Sequence, residues 1–354
     1  MKFAAPLALA LILALALIHT AAYAQDDSTA AAAKIAAKIV GPTGTNKDTC
    51  SNCHDLETKA WMHTHHFSSF KELHRTPEAK KIMAAMGIKS MKRSDTCLNC
   101  HYTSVLAGSN VRPTWGVSCE SCHGAARDWL NIHNKVGGVA TAKSVKWGEG
   151  RKKETPAQLK ARLDPAIAKG MITSDMIYGI AENCFGCHTV PNEKLVNVGG
   201  HKAGSDFDLV SWSQGEIRHN FATSAGAPDN PTNRAATKEE LRRLYAVGAL
   251  VDLQVSLRNL ANVKDKGGKF QTAMVDRVNK ARAKAEPVVA AAGDAKLSAA
   301  FKAIPAKVTA DSKVTDAMAS ALGAAAKSIQ GKAGTYAALD SKIPTSAKGT
   351  VFTQ

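Results

Sequence analysis

The distribution of apolar positions changes character twice along the chain. From Phe3 to Ile18 it is an unbroken apolar run, preceded by Met1-Lys2 and followed by His19-Thr20 and the small-residue end Ala22-Tyr23-Ala24. A charged start, a hydrophobic run and an A-x-A end predict a secretory signal peptide over 1–24, with an uncleaved membrane anchor as the alternative because the run is long. No later segment approaches the ~20 apolar residues that span a bilayer. From 45 to 229 the apolar stretches are short and broken by turn residues, with helical patterns from Leu56 to Phe70, after Thr76-Pro77-Glu78, after Thr155-Pro156 and leading into Cys184. A cluster of chain breakers follows at 223–232 and marks a boundary. Beyond it the pattern becomes long stripes at helical spacing: Leu241, Leu244, Val247, Val251, Leu253, Leu257 and Leu260, then Phe270, Met274, Val278, Ala281 and Ala285, then Val314, Met318, Leu322, Ala325 and Ile329. Thr237-Lys-Glu-Glu240 has the form of a capping box at the start of the first. Each stripe reads as one-sided. Three helices should therefore pack as an antiparallel bundle or lie against the preceding domain. The expected fold is mostly α with little regular sheet, divided into 1–24, 25–229 and 230–354.

Composition adds a difficulty. Aromatic residues make up only 5% of 354 residues, so the core must be filled by small aliphatic side chains or by something that is not amino acid. Eight cysteines form four identical units, each followed at once by histidine: Cys50-Ser-Asn-Cys53-His54, Cys97-Leu-Asn-Cys100-His101, Cys119-Glu-Ser-Cys122-His123 and Cys184-Phe-Gly-Cys187-His188. A zinc ribbon needs no histidine after every second cysteine, and a disulfide framework needs no uniform spacing. Four C-x-x-C-H units with no cysteine left over point to covalent attachment of four haems c. The two cysteines pin the porphyrin, and His54, His101, His123 and His188 become proximal ligands to iron. Four large apolar plates would also explain the shortage of aromatic side chains.

Outside the signal segment there are eleven histidines, the four proximal ones and His63, His65, His66, His74, His133, His201 and His219; none lies beyond 219. Seven candidates for four distal positions allow every iron two histidines. Met171 and Met176 could be axial ligands, but at helical spacing they read as packing residues.

Two further segments carry a resemblance. Cys50-x-x-Cys53-His54 followed by Trp61-Met-His-Thr64-His-His66, and Gly116-Val-Ser-Cys119-Glu-Ser-Cys122-His123-Gly124, resemble the cytochrome c-554 family of tetrahaem cytochromes, and Cys184 to His188 is similar to its fourth haem site. The resemblance covers about 45–225. It implies a compact helical wrapper around stacked haems, with distal ligands drawn from distant segments. His66 would cap a haem other than its own, His133 the first, and His201 or His219 the fourth. In that family the second haem can lack a distal protein ligand, which would leave the His101 haem open to small molecules. The extra histidines at 63, 65 and 74 depart from the family pattern.

Net charge is +16, and its distribution matters more than its size. Residues 230–354 hold 20 Lys and Arg against 10 Asp and Glu, a net +10, while residues 25–229 are +5 before haem carboxylates are counted. A basic loop containing Arg151-Lys152-Lys153 reads as a solvated face. The basic C-terminal helices would attract acidic redox proteins or associate with a membrane surface. Nucleic acid does not suit an exported protein. The primary expectation is a periplasmic electron carrier with no catalytic residues of its own. An enzyme acting on a small nitrogen or oxygen species at a five-coordinate haem, and a subunit of a haem filament, are the alternatives.

Overall fold

The computed structural model describes residues 32–44, 49–135, 154–221, 232–331 and 336–353. The signal segment, the loop with Arg151-Lys152-Lys153 and nearly all of the breaker cluster lie outside the described residues. The chain is mostly helical, with one small two-stranded antiparallel sheet.

After a helical turn at 32–36, a 3-10 turn at Cys50–Asn52 leads into α1 (Asp55–Met62) and α2 (His65–Glu72). The pattern from Leu56 to Phe70 is thus two helices. Thr64 separates them: its backbone is extended, its hydroxyl donates to the Trp61 carbonyl at 2.7 Å, and it accepts from the Phe67 amide at 3.2 Å. A threonine that caps the next helix ends the one before it. Helix α3 (Pro77–Met86) starts from Thr76 with proline in its first turn and stops at Gly87, whose φ of 67° is accessible to glycine without strain. Helix α4 (Asp95–His101) runs into the hairpin of β1 (Thr103–Ala107) and β2 (Asn110–Trp115). Then come α5 (Cys119–His123), α6 (Leu130–His133), α7 (Pro156–Ala168), α8 (Ile177–His188), α9 (Glu193–Asn197) and α10 (Leu209–Ser213). The C-terminal part holds α11 (Lys238–Ala261), α12 (Lys269–Ala292), α13 (Ala295–Lys302), α14 (Asp316–Ile329) and a 3-10 segment, Tyr336–Lys342.

Side chains pack in two different ways in the two halves. Between residues 32 and 175 the buried hydrophobics form only small clusters, one of Ala79, Met91, Cys97, Leu98 and Tyr102 and one of Ala126, Trp129 and Ala166. One continuous core occupies the rest, running from Ile177, Ala181 and Phe185 of α8 through Leu250, Leu253 and Leu257 of α11 to Met274, Leu297, Leu322 and Ile329. The helices after 236 therefore pack both on one another and on α8. Gly248 lets α11 come close to α10 as well, since a Cβ there would stand 3.0 Å from the Leu209 side chain.

The capping box at Thr237 and Glu240 forms as expected. The one-sided stripe on α11 does not. Every residue from Ala246 to Leu257 is buried, because α11 lies at the centre with α8, α10, α12 and α14 around it. Its polar positions meet partners on other helices. Asp252 pairs with Arg277 at 2.8 Å, Gln254 donates to Glu182 at 2.8 Å, and Asn259 donates to the Thr189 hydroxyl at 2.9 Å. Buried polar groups are tolerated when each finds such a partner.

Leu257 is fully buried in this core. Leu257→Ala should cost about 2–5 kcal/mol, seen as a lowered denaturation midpoint at unchanged denaturant dependence.

Candidate haem-binding site

Each C-x-x-C-H unit lies in or beside a helical turn. The second and fourth units end α4 and α8, the third is α5 itself, and the first is the 3-10 turn that leads into α1. In a helix, residues i, i+3 and i+4 share a face. Both cysteines and the histidine are thereby presented to one side, at a spacing set by the turn.

All four units open on one cavity of about 2600 Å³. An ordinary ligand pocket holds about 300–1,000 Å³. Shared among four units, this cavity offers each about 650 Å³. The units form an unbroken row. The Cys50 and Cys119 thiols neighbour each other, the Asn183 amide donates to the Cys122 carbonyl at 3.0 Å, and the Cys187 thiol approaches the Asn99 carbonyl at 3.8 Å. The spatial order is therefore first, third, fourth, second. No cysteine is in a disulfide. Burial raises the pKa of the Cys97 thiol and pushes that of Cys122 up to about 11.

Across the cavity each motif histidine faces a second one. Ring centres are 6.5 Å apart for His54 and His133, 6.4 Å for His101 and His201, 6.1 Å for His123 and His219, and 6.2 Å for His188 and His66. An imidazole nitrogen binds a metal at about 2.0 Å and its ring centre lies about 1 Å further back, so two rings on opposite sides of one ion stand about 6 Å apart. Five of the eight have Nδ1 anchored: His123 to the Ile172 carbonyl at 2.8 Å, His133 to that of Leu130 at 2.7 Å, His201 to that of Lys202 at 2.8 Å, His219 to that of Ile217 at 2.6 Å, and His188 to the Ser205 hydroxyl at 3.0 Å. A carbonyl only accepts, so Nδ1 carries the proton and Nε2 is left as the donor to a metal. Burial lowers His101, His123, His133 and His188 to about 4, and His66 in the same direction, which keeps the rings neutral and able to ligate.

His133 faces the first motif histidine and His66 a motif other than its own, as the resemblance implies, but the fourth pairing differs. The ring that faces His188 is His66, while His201 and His219 face the second and third motif histidines. The His101 ring faces His201, at the position where the resemblance allowed a vacancy. The extra histidines face no motif histidine: His63 packs on Phe352 with ring centres 4.7 Å apart, His65 at the cavity edge is bound by Glu216, and His74 is not among the cavity-lining residues.

The histidines that face the motif rings are held by residues that periodicity does not reveal. Gly116 lets the chain pass against α2, because a Cβ there would stand 1.9 Å from the His66 carbonyl oxygen. Trp61 Nε1 donates to the Val117 carbonyl at 2.8 Å and fixes the same corner. Glu216 is buried; its carboxylate accepts from the His65 amide and lies 2.7 Å from His65 Nδ1, tying the start of α2 to the segment before His219. Glu120, between the third pair of cysteines, accepts from the amides of Val40 at 3.0 Å, Gly41 at 2.7 Å and Ala126 at 2.7 Å. Burial nevertheless raises its carboxyl above the usual range. Arg162 donates to the His133 carbonyl at 2.7 Å and is itself gripped by Glu154 at 2.6 and 2.8 Å. The one local hint was a charged residue inside a C-x-x-C unit.

The donor set can be tested against haem. Among the described residues no three His, Cys, Asp or Glu converge as a metal site, so each histidine pair supplies only two ligands. An ion held there must bring its other ligands with it, as a porphyrin does. Tyr102 OH, Trp129 Nε1, Trp212 Nε1, Arg218 Nε and Arg243 Nε are buried without a hydrogen-bond partner, and all five residues line the cavity. Carboxylates such as those of haem would supply acceptors for donors of this kind.

Residues 49–124 match the family model described as cytochrome c554 and c-prime. The match supports a cytochrome c family. It carries with it covalently bound haem c and haem-based electron transfer in general. No curated protein and no solved structure matches the chain. The matched residues hold the first three C-x-x-C-H units and the Trp61–His66 corner.

Gly116→Ala should push α2 away from the cavity and with it His66. The expected result is one haem converted from low to high spin in the electron paramagnetic resonance spectrum, with haem content unchanged.

Proposed function

We propose that this is an exported, periplasmic tetrahaem cytochrome that relays electrons between redox proteins and has no substrate chemistry of its own. The observation that carries the reading is the set of four facing histidine pairs, one to each attachment unit, on one contiguous row. Haem c, when bound, supplies an iron that takes up and releases one electron. The protein's own part is to place and insulate it. Cys50, Cys53, Cys97, Cys100, Cys119, Cys122, Cys184 and Cys187 would fix the macrocycles at neighbouring points, and His54, His101, His123 and His188 with His133, His201, His219 and His66 would supply two imidazoles to each iron. Two imidazoles leave an iron no free coordination position, which suits outer-sphere transfer. The His201 ring opposite His101 speaks against an enzyme with a five-coordinate haem at that site.

The proposed partners are acidic. Lys264, Lys266, Lys269, Lys280 and Lys284 are exposed on or beside α12 and contribute to the +10 charge of the C-terminal region. Attraction through such a face raises encounter rates and weakens with salt. Among the described residues no helix is long and apolar enough to cross a membrane.

A pyridine haemochrome assay with intact mass should return four haems per mature chain, and the oxidised protein should show only low-spin iron and no cyanide binding. His201→Ala should keep all four haems and convert one to high spin. Fewer than four haems, or a native high-spin signal, would overturn the reading.

A further inference from the structure

The His188 site is built in part by helices that lie outside every attachment unit. Ser205 holds His188 from three directions: its amide donates to the His188 carbonyl at 2.9 Å, its hydroxyl lies 3.0 Å from His188 Nδ1, and the same hydroxyl reaches the His188 carbonyl at 3.3 Å. If Nε2 is the metal donor, Nδ1 carries a proton and donates it to the Ser205 oxygen, while the hydroxyl hydrogen turns to the carbonyl. Ser205 is in turn held by α12, since Arg277 Nη1 donates to its carbonyl at 2.9 Å. Arg277 also meets Asp252 of α11 at 2.9 Å through Nε and 2.8 Å through Nη2. Both side chains are largely buried, at 14% and 9% exposure, so their charges are poorly screened. Gly204 leaves room for this, as a Cβ there would stand 3.1 Å from Arg277 Nη1. On the other side of His188, Phe207 stacks on its ring at 4.4 Å, and Asn259 of α11 holds Thr189, the next residue, at 2.9 Å.

We infer that the Asp252–Arg277 pair positions His188 through Ser205 and sets the reduction potential of the haem attached at Cys184 and Cys187. The inference rests on the tetrahaem reading above and adds a role for the C-terminal helices beyond packing. Arg277 is a buried positive charge one residue from the ligand loop, and it opposes gain of positive charge on oxidation. Asp252 offsets it. The two partners therefore act on the same iron with opposite sign, which a mere loosening of the fold would not do. A neighbouring acceptor for the ligand's N–H also raises its basicity and fixes the ring orientation. Asp252 and Arg277 act through other groups and are positioning residues.

The test is a spectroelectrochemical titration of the full-length holoprotein, with haem counted in every variant. Arg277→Gln should lower one of the four midpoint potentials, and Asp252→Asn should raise one, both on the haem whose resonance signal changes in Ser205→Ala. Ser205→Ala alters no buried ion pair, so it tests the link to His188 even where removal of one charge unfolds the chain. Four haems with all potentials and low-spin signals as in the native protein would overturn the inference and leave the tetrahaem reading intact. Shifts of the same sign in both charge variants would also overturn it, as the mark of a loosened core. A native protein with fewer than four haems would instead remove the reading on which the inference stands.

Discussion

An imidazole has two nitrogens, and the one tied to the protein decides which is left for a metal. The rest of this structure turns on that constraint, repeated around a single cavity. A carbonyl or hydroxyl lies against Nδ1 in at least one ring of each of the four pairs, including both histidines of the third. Across the cavity the ring centres stay between 6.1 and 6.5 Å in all four pairs. Holding that distance four times in one small protein requires backbone carbonyls at fixed places, and hence a scaffold that does not drift. Fine positioning of this kind comes from residues whose own neighbours are fixed.

The scaffold meets the demand in two ways. Around the first three units, where side-chain cores are small, rigidity comes from buried polar anchors. Glu120 gathers three amides, Arg162 and Glu154 fix α6 against α7, and Glu216 fastens the start of α2. Such carboxylates cost desolvation and are tolerated because each is satisfied by several donors. The fourth unit is different. It ends α8, a helix whose buried face belongs to the same aliphatic core as α11, α12 and α14. The C-terminal helices thus reach the cofactor region through packing and through Asn259, Asp252 and Arg277.

That arrangement explains why α11 departs from the amphipathic pattern. Its leucines and valines recur at helical spacing, and Asp252, Gln254, Ser256 and Asn259 between them read as a solvent face. In the fold they are buried, each bound to a residue of α8, α12, α11 itself or the turn after α8. Periodicity reports which residues are apolar. It does not report whether a polar residue meets water or another helix.

The sequence by itself determined the chemistry of attachment, since C-x-x-C-H is a local unit whose two cysteines and histidine share one face of a single turn. It determined the helical class, the capping box at Thr237, and the pool of eleven histidines from which the facing pairs are drawn. Only the tertiary structure decided which eight of them face one another and how these divide into pairs. His66 stands 122 positions before His188, and His201 stands 100 after His101. No local rule links residues so far apart; their meeting depends on how α2, α4, α8 and the loops after α9 close around one cavity. The same holds for Glu216 and Arg277, which look like ordinary surface charges until folding removes the water around them and leaves a histidine backbone or a serine carbonyl as the partner at hand.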